Sequence, residues 1–140
     1  MQKILLDTNI YLDFYLDRKD NLKPLGEFAF NLIRETVSCK YFVLITDAHL
    51  KEMNVVLRIS NGEIWDRILG LLKGSNKIEI VIPTDKQIIE AKEISKLKNI
   101  PFYDVLFAVV ARDNNCILIT RDRHYEELEF ITKSICPEEL

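Results

Sequence analysis

Apolar residues gather in four short runs, 4–6, 41–45, 78–82 and 116–119, each bounded by polar or turn-forming residues. None alternates strictly between apolar and polar positions, as a strand with one wet face would, so the runs predict strands covered on both faces. The segments between them are long enough and helical enough for parallel crossovers, which gives an α/β sandwich. Periodicity predicts helices over 8–16 and 25–37 after the first strand, and over 47–59 and 64–72 after the second, where Ser60-Asn61-Gly62 divides a helical hairpin. Thr84 and Gln87 have the spacing of a capping box and open a helix that runs to about Lys98. Pro101 suits the first turn of the next helix, in which Phe102, Val105, Leu106, Val109 and Val110 form one apolar stripe, the pattern of a buried central helix.

Composition narrows the class. With 140 residues and 48% hydrophobic side chains, the chain predicts one compact domain over 1–140 and excludes disorder as a global description. Its 19 basic and 22 acidic residues give a net charge of −3, so a nucleic-acid partner has to be met by a local basic patch or through bound cations. The strongly apolar stretch 105–111 is far short of the roughly 20 residues of a membrane span, and Asp7 interrupts the N-terminal apolar run before a secretory core forms. Cys39, Cys116 and Cys136 contain no Cys-x-x-Cys pair, which argues against a disulfide scaffold or zinc ribbon. Cys116 reads as a small buried hydrophobe, and the predicted location is a reducing cytoplasm.

In an open parallel sheet, ligands collect beyond the carboxyl ends of the strands, and the residues there are mostly acidic. Asp7 leaves the first strand, Asp122 leaves the fourth, Glu52 lies within the helix after the second, and Asp104 stands near the start of the apolar helix. Each has an ordinary role open to it: helix capping for Asp7 and Asp122, a helix-dipole contact for Asp104, and a solvated helix charge for Glu52. Asp104, however, sits among Phe102, Tyr103, Val105, Leu106 and Phe107, with no lysine or arginine in the next four residues. A buried charge without a partner is expensive, and facing carboxylates repel unless a cation neutralises them. Oxygen ligands select hard ions such as Mg²⁺ or Mn²⁺, which can activate water and stabilise a phosphoryl group under attack. Asp47 and Asp85 also leave strands, and which strand ends are neighbours is left open by the sequence.

Four motifs in order resemble those of the PIN domain family, whose members include the VapC ribonuclease toxins of toxin–antitoxin pairs. They are Asp7-Thr8-Asn9, Thr46 with Glu52-Met53, the segment 101–108, and Ile119-Thr120-Arg121-Asp122, and Pro137-Glu138-Glu139 is similar to a family ending. The resemblance implies a three-layer α/β/α sandwich with a four- or five-stranded parallel sheet, and a metal-dependent endoribonuclease acting on RNA. It implies Mg²⁺ or Mn²⁺ held by Asp7, Glu52, Asp104 and Asp122, with Thr8, Asn9 and Thr120 orienting those acids or touching substrate. It further implies an antitoxin protein as partner and a homodimer. Two positions depart from the family pattern: His124 stands where a further acid is common, and Val105 where alanine is common.

Lys51, Arg121, Arg123 and His124 flank the acids and are candidates to hold substrate phosphates, or else form ordinary surface ion pairs. Tyr11, Phe14 and Tyr15 are candidates to stack bases, or else belong to the core or a dimer contact. Two other classes compete with the nuclease. One is a non-catalytic PIN-like module that binds RNA or protein, against which the full set of four acids argues. The other is an aspartyl-phosphate enzyme or receiver domain, against which stand Asn9, where a second acid belongs, and Asp7 alone at the end of the first strand.

Overall fold

A computed structural model describes residues 1–140. Five parallel strands form one sheet: β1 (Gln2–Leu6), β2 (Tyr41–Thr46), β3 (Ile78–Val81), β4 (Ile117–Ile119) and β5 (Ser134–Ile135), in the order β3-β2-β1-β4-β5. The central strand β1 is wholly apolar from Ile4 to Leu6 and meets a partner on each edge, with Leu5 opposite both Leu44 and Leu118. Successive side chains on it face opposite layers. Ile4 and Leu6 join one core with Val43, Ile45 and Ile119, while Leu5 joins the other with Leu44 and Leu118.

The first core is closed by α1 (Thr8–Leu16), α2 (Leu25–Val37), α3 (Asp47–Leu57), α4 (Asn61–Arg67) and α5 (Gly70–Gly74). The second is closed by α6 (Asp85–Lys98) and α7 (Phe102–Asp113), whose segment from Val105 to Ala111 is buried on every side. The stretch predicted as one helix over 64–72 is two short helices, because the backbone breaks at Ile68 and Leu69 while Ile64, Ile68 and Leu72 keep facing the same core. Thr84 and Gln87 form the capping box of α6, with the Thr84 backbone N–H donating to Gln87 Oε1 over 2.9 Å.

Helices α1 and α2 approach closely at Gly26. A Cβ there would lie 2.6 Å from Asp17 Cα and 2.8 Å from the Asp13 carbonyl oxygen, so glycine is what allows the contact. No helix is long and apolar enough to cross a membrane.

Candidate metal centre

The chain runs outward from β1 to β2 and β3, then returns through α6 and α7 to place β4 and β5 on the opposite side. Where the order reverses, the two flanking crossovers lie on opposite faces and leave a crevice past the strand ends. Leu6 and Ile119 are paired there, so Asp7 and the loop 120–122 emerge side by side.

Asp7 is 4% exposed. Its backbone N–H donates to the Ile119 carbonyl over 2.8 Å, and the Thr120 hydroxyl donates to Asp7 Oδ2 over 2.9 Å. The carboxylate makes no capping bond to α1, which corrects the helix-cap reading: its oxygen is taken by Thr120 on the neighbouring strand instead. Burial pushes its carboxyl up to about 7; the Thr120 bond opposes this, and the charges of Asp104, Glu52 and Asp122 add to it.

Glu52 projects from α3 and takes a 2.7 Å hydrogen bond from the Thr8 hydroxyl, so Thr8 and Thr120 each orient one acid. Its carboxyl is raised, first by partial burial and then by Asp104. Asp104, in the first turn of α7, is raised by burial and by Asp122, and His124 offsets part of that rise. Asp122 accepts from the His124 backbone N–H over 2.9 Å, opening a short 3-10 helix (Arg123–Leu128), so here the capping role is real. It leaves the other carboxylate oxygen outside that bond. The His124 Nδ1 lies 3.4 Å from both Asp104 Oδ2 and Asp122 Oδ1, and one donor atom from each of the three lies within 4.8 Å of the others.

Two buried side chains that motif reading missed support this cluster. His49 is fully buried, stacked on Phe107 with ring centroids 3.9 Å apart. Its Nδ1 accepts from the Thr46 backbone N–H over 3.0 Å, which leaves the proton on Nε2 to be donated to the Leu6 carbonyl over 2.8 Å. The last carbonyl of β1, next to Asp7, is thereby tied to the start of α3, which carries Glu52. Burial holds His49 down to about 3, as a neutral imidazole. Its sequence signal was its place three residues after Thr46, the second position of a capping box. Tyr125 is 1% exposed, and its hydroxyl has no hydrogen-bond partner in the protein. That hydroxyl lies beside Asp104 and within the field of Asp7, Asp122 and Glu52, and burial drives its phenol well above the ordinary value. The apolar spacing Tyr125, Leu128, Ile131 marked it as an inward-facing residue.

Other predicted residues fall elsewhere. Asn9 is exposed, and its Oδ1 is 3.4 Å from Arg18 rather than turned to an acid, because the first turn of α1 points it outward. Arg121 does not stand free for phosphates. Its guanidinium grips both Glu138 oxygens at 2.9 and 2.6 Å, lies 3.9 Å from buried Asp13, and covers the Phe28 ring. Arg123 is exposed, as is Lys51, which makes only a 3.8 Å solvent-facing pair with Asp47. Tyr11 is fully buried and packs inside, while Phe14 is half-buried against the first core with its ring stacked on the exposed Phe30. Beside Glu52, a shallow depression of about 230 Å³ is lined by Lys51, Val55, Val56 and Tyr103.

No lysine or arginine pairs with any of the four acids. A desolvated group of carboxylates with raised affinity for protons has the same appetite for a divalent cation. The unpartnered Tyr125 hydroxyl fits this as well, since an ion brings bound water into reach of a buried donor. The residues present therefore fit a hard divalent ion.

A family model described as PIN domain matches residues 4–131. No curated protein sequence matches the chain. Among solved structures, it is similar to VapBC2 from Rickettsia felis bound to a DNA fragment from its promoter, with 18% identity, a TM-score of 0.63, and coverage of 96% of this chain and 97% of that one. It is similar also to a toxin–antitoxin complex from Klebsiella pneumoniae, with 14% identity, a TM-score of 0.59, and coverage of 96% and 97%. PAE2754 from Pyrobaculum aerophilum aligns at 18% identity with a TM-score of 0.55, over 99% of this chain and 85% of that one. At these identities the likeness is one of fold.

Proposed function

This chain belongs to the PIN domain family, and from that premise we propose that it is an endoribonuclease dependent on Mg²⁺ or Mn²⁺, the toxin of a toxin–antitoxin pair. The observation that carries the reading is the convergence of Asp7, Glu52, Asp104 and Asp122, from four separate segments, on the crevice at the reversal of strand order, with no lysine or arginine paired to any of them. A divalent ion bound there supplies a polarised water and a counter-charge for the phosphodiester under attack.

The residues of the chain then have separate tasks. Asp7 and Asp104 are the principal ligands, with Glu52 and Asp122 completing the ring. Thr8 and Thr120 fix the directions in which Glu52 and Asp7 present their oxygens. Lys51 and Arg123, both exposed, draw in the phosphate backbone of an RNA that the net charge of the body would repel. The depression beside Glu52, floored by Val55, Val56 and Tyr103, receives an unstacked base. An antitoxin protein as partner and a second copy of the chain as dimer mate complete the proposal; two of the similar structures are toxin–antitoxin assemblies.

The test is cleavage of a mixed panel of structured and single-stranded RNAs with Mn²⁺, Mg²⁺ or chelator, comparing wild type with Asp104→Asn purified in parallel. The expected outcome is metal-dependent cutting that falls at least a hundredfold in the variant, about 3 kcal/mol of transition-state stabilisation. Absence of cutting by both proteins, with RNA still retained in a binding assay, would replace the nuclease by a non-catalytic RNA-binding module.

A further inference from the structure

The donor atoms that lie closest together in the crevice are not all oxygens. His124 Nδ1 stands 3.4 Å from one oxygen of Asp104 and 3.4 Å from one oxygen of Asp122. Both separations are long for a hydrogen bond. They are close to the spacing of about 3 Å between neighbouring ligands around a six-coordinate ion with bonds slightly over 2 Å. All three donor atoms lie within 4.8 Å of one another, so one ion can reach them together. A second observation points into the same space: the Tyr125 hydroxyl, on a side chain 1% exposed, meets no protein partner and faces these carboxylates. It would be a donor toward water held by an ion in this space, as a buried polar group requires a partner.

We propose that His124 is a direct ligand, forming with Asp104 and Asp122 a mixed nitrogen–oxygen site that selects a first-row transition ion over Mg²⁺. This rests on the reading of the acids as a metal centre and goes beyond it in naming the class of ion. Mg²⁺ binds oxygen almost exclusively and gives up water reluctantly, so an imidazole adds little to its affinity. Mn²⁺ and the ions after it in the series accept imidazole readily, so the same ring raises their affinity. His124 is more than half exposed and contributes nothing to either core, which makes it replaceable without loss of the fold.

The experiment uses Mn²⁺ as the probe. Electron spin-echo spectroscopy of the Mn²⁺-loaded protein reads directly bound nitrogen, and a parallel titration reads the Mg²⁺ needed to displace half of the Mn²⁺. Wild type is expected to show nitrogen modulation, and His124→Asp, with an unchanged circular dichroism spectrum, to lose it. The Mg²⁺ required for displacement is expected to fall at least tenfold in that variant. Mn²⁺ bound without nitrogen modulation, modulation that survives in His124→Asp, or an unchanged displacement point would each overturn the assignment of His124. If Mn²⁺ binds without nitrogen modulation, and Asp104→Asn abolishes that binding, the carboxylate centre stands and only the histidine ligand falls. If no Mn²⁺ binds, the metal centre itself is overturned.

Discussion

Asp7 and His49 sit on either side of the Leu6 carbonyl and pull the pH dependence of the metal-free protein in opposite directions. The Asp7 carboxyl ionises near 3.8 in the unfolded chain and near 7 in the fold, so between those values the folded state holds the extra proton and stability falls as pH rises. His49 is the reverse: it titrates near 6.5 unfolded and near 3 folded, so stability is lost as pH falls through that window. Each of these differences corresponds to something on the order of 4 kcal/mol. In chelator at pH 8, Asp7→Asn is therefore expected to be more stable than wild type by on the order of 4 kcal/mol, an advantage that vanishes by pH 4. Denaturant unfolding across that range measures it, and addition of Mn²⁺ at pH 8 should reverse the order of the two proteins. The acids were legible in the sequence because a charge at the end of an apolar run stands out. For His49 and Tyr125 the sequence carries only a capping-box position and an apolar spacing, and for Asp13 neither; what sets their roles is the absence of water, imposed by residues far away along the chain.

At the scale of elements, apolar spacing found each helix face and was blind to the backbone behind it. Ile64, Ile68 and Leu72 keep their helical spacing across the break at Ile68 and Leu69, so their pattern reads as a single helix over 64–72 although two helices share that face. Strand β5 went unread because Ser134 and Ile135 carry no pattern of their own; the Thr120 N–H bond to the Ile135 carbonyl, 2.9 Å, recruits them. The close approach of α1 and α2 at Gly26 is equally invisible in a lone glycine. Gly26→Ala is expected to lower stability by about 2 kcal/mol or more, since the new methyl meets backbone on two sides and cannot be accommodated by a rotamer change. Thermal unfolding should register it as a lower midpoint with metal affinity retained.

Across the whole molecule, the acidic centre depends on a clamp that contains none of its ligands. Arg121, one residue before Asp122, reaches away from the crevice to Glu138 and to Asp13 within α1. Asp13 is 3% exposed, and its carboxyl is raised by burial against the pull of Arg18 and Arg121. Arg121→Met keeps the contact with Phe28 and removes the charge, leaving Asp13 with Arg18 alone. The expected loss is about 3 kcal/mol of folding stability, accompanied by weaker Mn²⁺ binding as the loop carrying Asp122 loosens. Calorimetry on the metal-free and metal-loaded forms separates the two effects.

The pairing of β1 with β4 also carries a temporal meaning. Asp7 leaves the ribosome more than a hundred residues ahead of the groups that orient it, the Ile119 carbonyl and the Thr120 hydroxyl. At some 5–20 residues per second of synthesis, seconds pass in which the carboxylate exists with no site around it. The acidic centre therefore assembles only after β4 has docked beside β1, and whatever engages the finished centre meets it no earlier.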